Sequence, residues 1–425
     1  MSTLNTTVTA NLTNAQRAKW EKKLRLDMYR DSFFSDFQGA QGARMPLIVR
    51  DDFTSKIDAG TTVHIQTLAR LGSAGVTAES SLQGNEEKLR VGQFDMTADW
   101  VRNGVSFTKK ATKNTIFDCL MTANSALSDW GATYVDAAIF AQLLDNTSYT
   151  LYANNARSSA ELGTDDIFGA TEIDRIRLNL IRQNAIPLRV TTKGKMKVPI
   201  YGLVTSEIDE WNLEGDTTYT DTVKEAYSGS GDANPLLYGA AGIYHNMLIY
   251  HHYGIGGYQG SPLRPEASVY GVHSNVATTI TVGLSTDKID YTKFFPSAGT
   301  LAITNSSNEK EYVDYTGKTV YSFTGCTRGA TYGPDGASNG ASAYTGNELV
   351  TSYNHRSRVV GFGAEAAAIV WGQYPEMRNQ AYDYDFENGV AIEMMFGVKA
   401  IENYAGNKQN YCVMECYSGN PNISL

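Results

Sequence analysis

Hydrophobic and polar residues alternate singly along Val63, Ile65, Thr67, Ala69 and Leu71, with His64, Gln66, Leu68 and Arg70 between them. The pattern returns at Phe94, Met96, Ala98 and Trp100, set against Gln93, Asp95, Thr97 and Asp99. A period of two is the mark of a strand with one buried face, so residues 53–107 read as a long β-hairpin. Its tip, GSAGVTAESSLQGNEEK, is rich in Gly and Ser and acidic. A two-stranded ribbon is marginal in water, so this one needs a surface to lie on, either the chain's own body or a neighbouring copy.

The period then changes. Ile116, Leu120, Leu127, Trp130, Tyr134 and Ala138 recur at helical spacing, which predicts a helix from Thr112 to about Leu144, roughly 50 Å long. A second helix is expected from Thr171, capped by Asp174, with Ile173, Ile176, Leu180 and Ile181 facing inward and an end near Asn184 ahead of Pro187. Upstream, Thr13 and Gln16 have capping-box spacing before Trp20, Leu24 and Met28, the pattern of a short helix. Residues 196–260 mix a strand (VPIYGLVT), a helix, Gly-rich loops and a further strand (YHNMLIYHHY). Between 268 and 352 short alternating runs such as GTLAIT and KEYVDY are separated by turn residues, the pattern of an inserted all-β module. From 357 a small-residue helix (GAEAAAIVWG) is expected, then strands in NGVAIEMMFGVKAIENY and NYCVMECYS.

Composition narrows the classes. The 425 residues are 42% hydrophobic and 19% charged, with 39 Gly and 26 Tyr, which fits a turn-rich mixed α/β chain and not a disordered one. No apolar run reaches membrane-spanning length, and the polar N-terminus has no signal-peptide pattern. The net charge of −9 argues against a dedicated nucleic-acid binder. Residues 1–30 run the other way, with Arg17, Lys19, Lys22, Lys23, Arg25 and Arg30 against Glu21 and Asp27. That segment reads as a solvated helix face or as a basic arm near a polyanion. Cys119, Cys326, Cys412 and Cys416 are too few for a disulfide framework, and four residues along a strand separate the last two by about 13 Å. Reduced thiols are expected.

The sequence carries few patterns that point to chemistry. In GIGGYQG, Gln259 stands where a dinucleotide loop needs glycine, and SPLRPE follows where a helix should begin. His245, His251 and His252 have no acidic partner in their own run, so ordinary strand positions are expected rather than a metal site. Asp383, Asp385 and Glu387 lack the glycine and glutamate spacing of a calcium loop. No nucleophile elbow, P-loop or H-E-x-x-H motif occurs. No enzymatic activity and no cofactor are expected.

The order of these pieces resembles the Hong Kong 97-like fold of tailed-phage major capsid proteins. Four segments resemble more specifically the capsid family of podoviruses related to phage N4: TAESSLQGNEEKLRVGQFDMTADWVRNGVSFTKKA, VPIYGLVTSEIDEWNLEGD, NPLLYGAAGIYHNMLIYHH and FGAEAAAIVWGQYPEMRNQAYDYDFENGVAIEMMFGVKAIENY. Together they cover most of residues 50–260 and 357–417. The resemblance implies an α+β capsid fold: an N-arm at 1–52, an extended hairpin loop at 53–110 and a peripheral domain with its spine helix at 111–195. An axial domain would follow at 196–267, interrupted by an all-β module at 268–352 and resumed at 353–425. The module's phrase EKEYVDYTGKTVYSFTGCTRGATYG resembles small β-modules of phage structural proteins, which implies projection from the outer surface.

The implied function is a head shell built from hexamers and pentamers around double-stranded DNA, assembled in the bacterial cytoplasm and ending in the virion. The implied partners are further copies, the packaged DNA, a portal, scaffolding and decoration proteins, and no membrane. An encapsulin-like compartment or a tail or decoration protein is the alternative. For contacts between copies, the acidic tip (Glu79, Glu86, Glu87) is expected to approach the basic start of the long helix (Lys109, Lys110, Lys113). Arg17, Lys19, Lys22, Lys23 and Arg25 are expected on an inner basic arm.

Overall fold

The computed structural model describes residues 32–417, apart from 41–44, 51–61, 69–70, 73–74, 78–80, 115–118, 146, 155, 159–160, 164, 194–195, 222–242, 253–265, 287–288, 296, 306, 308, 331–339, 354–355, 383–385 and 404. The helix expected at 13–28, the basic residues Arg17, Lys19, Lys22, Lys23 and Arg25, Glu79, the glycine loop at 254–260, Asp383 and Asp385 lie outside the described residues.

A 3₁₀ turn at Phe33–Phe37 comes first. In chain order follow β1 (Gln38–Gly39), β2 (Leu47–Arg50), β3 (Thr62–Leu68), β4 (Val91–Thr97), β5 (Asp99–Thr108), α1 (Lys109–Asn114), α2 (Cys119–Asp145) and β6 (Thr150–Tyr152). Next are α3 (Ala170–Arg182), β7 (Arg189–Lys193), β8 (Met196–Thr205), α4 (Glu207–Gly215), β9 (Ile243–Tyr244), β10 (Met247–His251) and β11 (Glu266–Ser268). The rest is strand: β12 (Thr279–Thr281), β13 (Gly299–Thr304), β14 (Lys310–Tyr315), β15 (Gly317–Lys318), β16 (Ser322–Thr324), β17 (Leu349–Tyr353), β18 (Arg356–Phe362), β19 (Ala367–Tyr382), β20 (Glu387–Ala400) and β21 (Tyr411–Tyr417). They fall into two compact units, Met1–Ile139 with Glu365–Gln409 and Phe140–Ala364 with Asn410–Leu425.

In the first unit, β3 and β4 pair antiparallel from Thr62↔Thr97 to Leu68↔Val91. The alternation holds for Val63, Ile65, Phe94 and Met96, which are buried and pack on Ala368 and Val370 of β19, but not for Leu71, which is 66% exposed. The ribbon's apolar face is therefore covered by the chain's own body. The return arm is shorter than expected, because β5 leaves β4 and pairs with β20, which leaves Trp100 40% exposed. β5 is the edge of a five-stranded sheet ordered β1-β2-β19-β20-β5.

The largest correction concerns GAEAAAIVWG, which forms the start of β19 and not a helix. Ala367–Val370 pair parallel with Leu47–Arg50, while β20 covers the other edge. Ala366 to Trp371 are all less than 5% exposed. A strand buried on both faces reads as an unbroken apolar run, which periodicity alone cannot tell from a helix. Register shifts at Trp371/Gln373 and Gln373/Glu376 follow, where Pro375 interrupts the strand, as proline does at bulges.

The long helix is seen as α1 and α2, with residues 115–118 between them outside the described residues. Trp130 and Tyr134, on the expected stripe, continue an aromatic row through Phe396 to Trp371 with ring centroids 5.1, 6.1 and 5.3 Å apart. A second set, Ala132, Val135, Ile139, Phe140 and Leu143, is more deeply buried. The helix is apolar over more of its circumference than one stripe, and Asp136 lies among these residues with 3% exposure.

In the second unit, a sheet ordered β6-β21-β18-β8-β10-β9, with β7 paired to β8, shares a core with α3 built on Phe168, Ile173, Ile176, Leu180, Leu203, Met247 and Val359. Ile181 faces out, 41% exposed, against expectation. Residues 173, 176 and 180 already complete one helical face, and 181 falls a further 100° round it. Asp174 does not cap α3. Asp216 accepts the Ala170 N–H at 2.8 Å instead, supplying from a distant segment what the N-terminal turn lacks. β9 and β10 turn through His245 and Asn246, both at positive φ (44° and 69°), so the run expected as one strand is a two-residue hairpin.

All four cysteines are free. Burial pushes the Cys412 thiol up to about 12, which leaves it un-ionised and inert as a nucleophile at neutral pH.

Residues 266–353 form a four-stranded sheet (β11-β17-β13-β14) and a three-stranded one (β12-β16-β15) around their own core, including Phe295, Leu301, Val313, Phe323 and Val350. Among the described residues no strand is shared with the larger sheet of this unit.

Candidate assembly surfaces

The ribbon presents a polar face opposite its buried one. His64 Nδ1 and Asp95 Oδ1 are 2.5 Å apart, and Gln93 Nε2 reaches both, at 2.9 and 3.0 Å. The Gln93 and His64 hydrogen bonds hold the Asp95 carboxyl below its ordinary range. Lys399 of β20 donates to the Asp95 carbonyl at 3.1 Å and ties the ribbon's base to the sheet.

Towards the tip the two acids have local duties. Glu87 accepts the Gly72 N–H and Glu86 the Gly84 N–H, each at 2.8 Å, so their carboxylates close the tip as well as charge it. Sequence reasoning treated the tip as polar and missed its apolar content. Leu71, Leu82, Leu89 and Val91, on the tip and the strand ends beside it, are 53–66% exposed. The signal was there in single aliphatics scattered through the Gly/Ser-rich run.

At the other end of β5, α1 begins where the Lys109 N–H donates to the Phe386 carbonyl, with Thr108 Oγ1 accepting the Ala111 N–H at 3.2 Å. Lys109, Lys110 and Lys113 are all exposed on it. Among the described residues none of the three forms an ion pair with Glu86.

The second unit has a cleft of ≈ 1160 Å³ lined by Glu172, Arg175, Trp211, Glu214 and Asp216, among others. Two of its acids hold backbone: Glu172 accepts the Asn154 N–H at 3.2 Å, and Asp216 those of Ala170 and Thr218 at 2.8 Å. The histidines stand apart. His245 meets Asp174 at 2.7 Å and stacks on Tyr244, whereas the His252 ring lies 5.1 Å from that of Phe140. Among the described residues no three His, Cys, Asp or Glu side chains are placed to hold a metal ion.

A family model described as phage capsid protein matches residues 8–160. No curated protein matches the chain. Among solved structures, the capsid of Ralstonia phage GP4 is similar over 92% of this chain and 93% of its own, with a TM-score of 0.58 and 17% identity. The cyanophage Pam1 capsid asymmetric unit is similar over the same shares, with a TM-score of 0.60 and 14% identity. The head structure of Helicobacter pylori bacteriophage KHP40 has a TM-score of 0.57 at 13% identity, over 91% of this chain and 92% of the other. At such identities the likeness is one of fold. The chain has the α+β fold of Hong Kong 97-like phage capsid proteins over nearly its whole length.

Proposed function

We propose that the protein is the major capsid protein of a tailed phage, which self-associates into the head shell and is a structural component of the virion. The observation that carries this reading is a fold shared over about nine-tenths of both chains with phage capsid proteins, joined to the capsid-family match at residues 8–160. Electron microscopy of the purified full-length protein tests it. Closed shells or ring-shaped capsomers are expected. Stable dimers or trimers with nothing larger at any concentration would overturn it, and shells filled with a protein cargo would point to a compartment.

The finer reading is that the shell is made of hexamers and pentamers enclosing double-stranded DNA, in a capsid of the N4-related podovirus type, with portal, scaffolding and decoration proteins as further partners. The four quoted segments support the subfamily. In this reading residues 1–52 are the N-arm, 53–110 the extended loop, 111–195 the peripheral domain, and 196–267 with 353–425 the axial domain. The basic side chains Arg17, Lys19, Lys22, Lys23 and Arg25 would face the packaged DNA.

Residues 268–352 are read as an insertion. In support, β11 and β17 pair antiparallel, from Glu266↔Thr351 to Ser268↔Leu349, so entry and exit lie side by side, as an insertion into a finished domain requires.

The acidic tip, Glu79, Glu86 and Glu87, is read as approaching Lys109, Lys110 and Lys113 of a neighbouring copy. One exposed pair contributes only about 0–1 kcal/mol, so the effect comes from repetition round the shell. Reversal of both acids (E86K with E87K) is expected to lower the yield of particles without unfolding the chain. E86Q with E87Q keeps an acceptor for Gly72 and Gly84 and should have a smaller effect. Adding K109E and K110E to the reversed chain should restore particles; a failure to restore them would exclude the pairing.

A further inference from the structure

Asp136 is used by neither the ribbon nor the strand pairings. It lies on α2, 3% exposed, and three donors from the turn at Phe33–Phe37 converge on it. Ser32 Oγ donates to Oδ1 at 2.7 Å, the Phe33 N–H to Oδ2 at 2.8 Å and the Phe34 N–H to Oδ1 at 3.4 Å. The two amides are the donors a helical turn leaves unsatisfied at its start. The usual remedy is the side chain of the preceding residue, but Ser32 caps nothing and gives its hydroxyl to Asp136. Phe34 is 4% exposed, and the Phe33 ring packs on those of Phe34 and Phe37 at 5.2 and 5.1 Å. The contact therefore joins residues about a hundred positions apart.

We propose that Asp136 is a positioning residue for the N-terminal arm: its carboxyl group fixes the turn at Ser32–Phe34 and so sets the direction from which the preceding arm enters. The proposal rests on the shell reading, in which a fixed point of departure lets every copy's arm reach the same place on its neighbour.

The anchor has a pH dependence of defined sign. Burial pushes the carboxyl up from 3.8 to about 6, against the pull of Ser32 and the two amides, with no charged group contributing. Asp36 on the same turn and Asp129 two helical turns earlier are both exposed. When the turn opens, the carboxyl returns towards 3.8, so the closed state is the one that binds the proton more tightly. Closure is favoured as pH falls from above 6 towards 4, by roughly 100-fold at most, and disfavoured as pH rises through 6.

Hydrogen exchange of the Phe33 and Phe34 amides in the full-length protein tests the anchor, with D136A and S32A compared at pH 5 and pH 7.5. In the wild type both amides are expected to be better protected at pH 5, after correction for intrinsic rates. D136A removes both acceptor oxygens and should raise their exchange roughly tenfold or more, flatten the pH dependence, leave β3 and β4 unchanged and lower the yield of closed particles. S32A removes one donor without touching α2, should give a smaller rise, and carries the test if D136A fails to fold. Unchanged exchange in both variants, pH-independent protection in the wild type, or a normal yield of shells from D136A with fast-exchanging amides would each overturn the proposal. If the wild-type amides behave as stated but the wild type makes no shells, the shell reading fails and the anchor stands.

Discussion

Replacing Arg328 by Met is expected to destabilise the β-module by about 3–5 kcal/mol, the usual cost of leaving a buried charge without its partner. Arg328 and Glu311 are 5% and 3% exposed, and Nε reaches Oε1 at 2.7 Å. Nη2 reaches Oε2 at 2.8 Å, so the pair is bidentate. The Tyr344 hydroxyl donates to the same Oε2 at 2.7 Å, and the guanidinium lies 4.2 Å from the Tyr344 ring centroid. Burial alone would raise the Glu311 carboxyl, but the bonds from Arg328, Tyr344 and Ser342 outweigh it and hold the group below its ordinary range. A depressed carboxyl contributes stability that is present at neutral pH and lost as pH falls through the folded-state value, so acid should loosen the wild-type module first at this cluster. In R328M the carboxylate stays buried with neutral donors only. The double variant R328M with E311Q should recover much of the loss, because no charge is then left unpaired. Urea-dependent hydrogen exchange of Thr300–Ile303 reads both effects. Equal stability of wild type and R328M would mean that packing of the module's core, and not this pair, holds the two sheets together.

Replacing Gly397 by Ala is expected to displace the base of the ribbon. A Cβ at 397 would stand 2.1 Å from the Thr97 carbonyl oxygen and 3.3 Å from the Ala98 Cα. Both belong to backbone, which cannot rotate away as a side chain can. Overpacking of this kind costs about 1–3 kcal/mol and occasionally more. The strain falls where β4 ends and β5 begins, beside the Lys399 bond to Asp95. Thermal unfolding of G397A should show a clear loss of stability, with particle yield falling further because the ribbon is re-aimed. G215A is the control: nothing lies within 4 Å of its added methyl, and a small change is expected. A G397A chain as stable as G215A would mean that the β4–β20 approach relaxes freely.

What could be read from the residues follows the distance over which each feature is decided. The ribbon was legible because Val63, Ile65, Phe94 and Met96 are sorted by a period of two, and a strand with one buried face leaves that trace in any chain. The second helix was legible from its 3.6-residue spacing, and the strands β8, β20 and β21 and the all-β character of residues 268–352 from short apolar runs between turn residues. Ala366–Trp371 were misread because the evidence for a strand lay elsewhere: β2 and β20 pair with its two edges, its successive residues are all buried, and double burial erases periodicity. Ile181 was misread through an inward face drawn one residue too wide.

The residues proposed for assembly divide in the same way. The charges of Glu86, Glu87, Lys109, Lys110 and Lys113 are visible in sequence, but the closure of the tip by those two glutamates is not. Asp136 left no signal at all, since an aspartate in a helical run is ordinarily a solvated one. Sequence by itself determined the order of ribbon, long helix and mixed body, and the division of charge between the first thirty residues and the rest, because spacing and side-chain chemistry act over a few residues. Tertiary structure alone decided which apolar run became a central strand, that the ribbon lies on its own chain, and that a buried carboxylate receives the turn at Phe33, because each depends on desolvation by residues tens to hundreds of positions away.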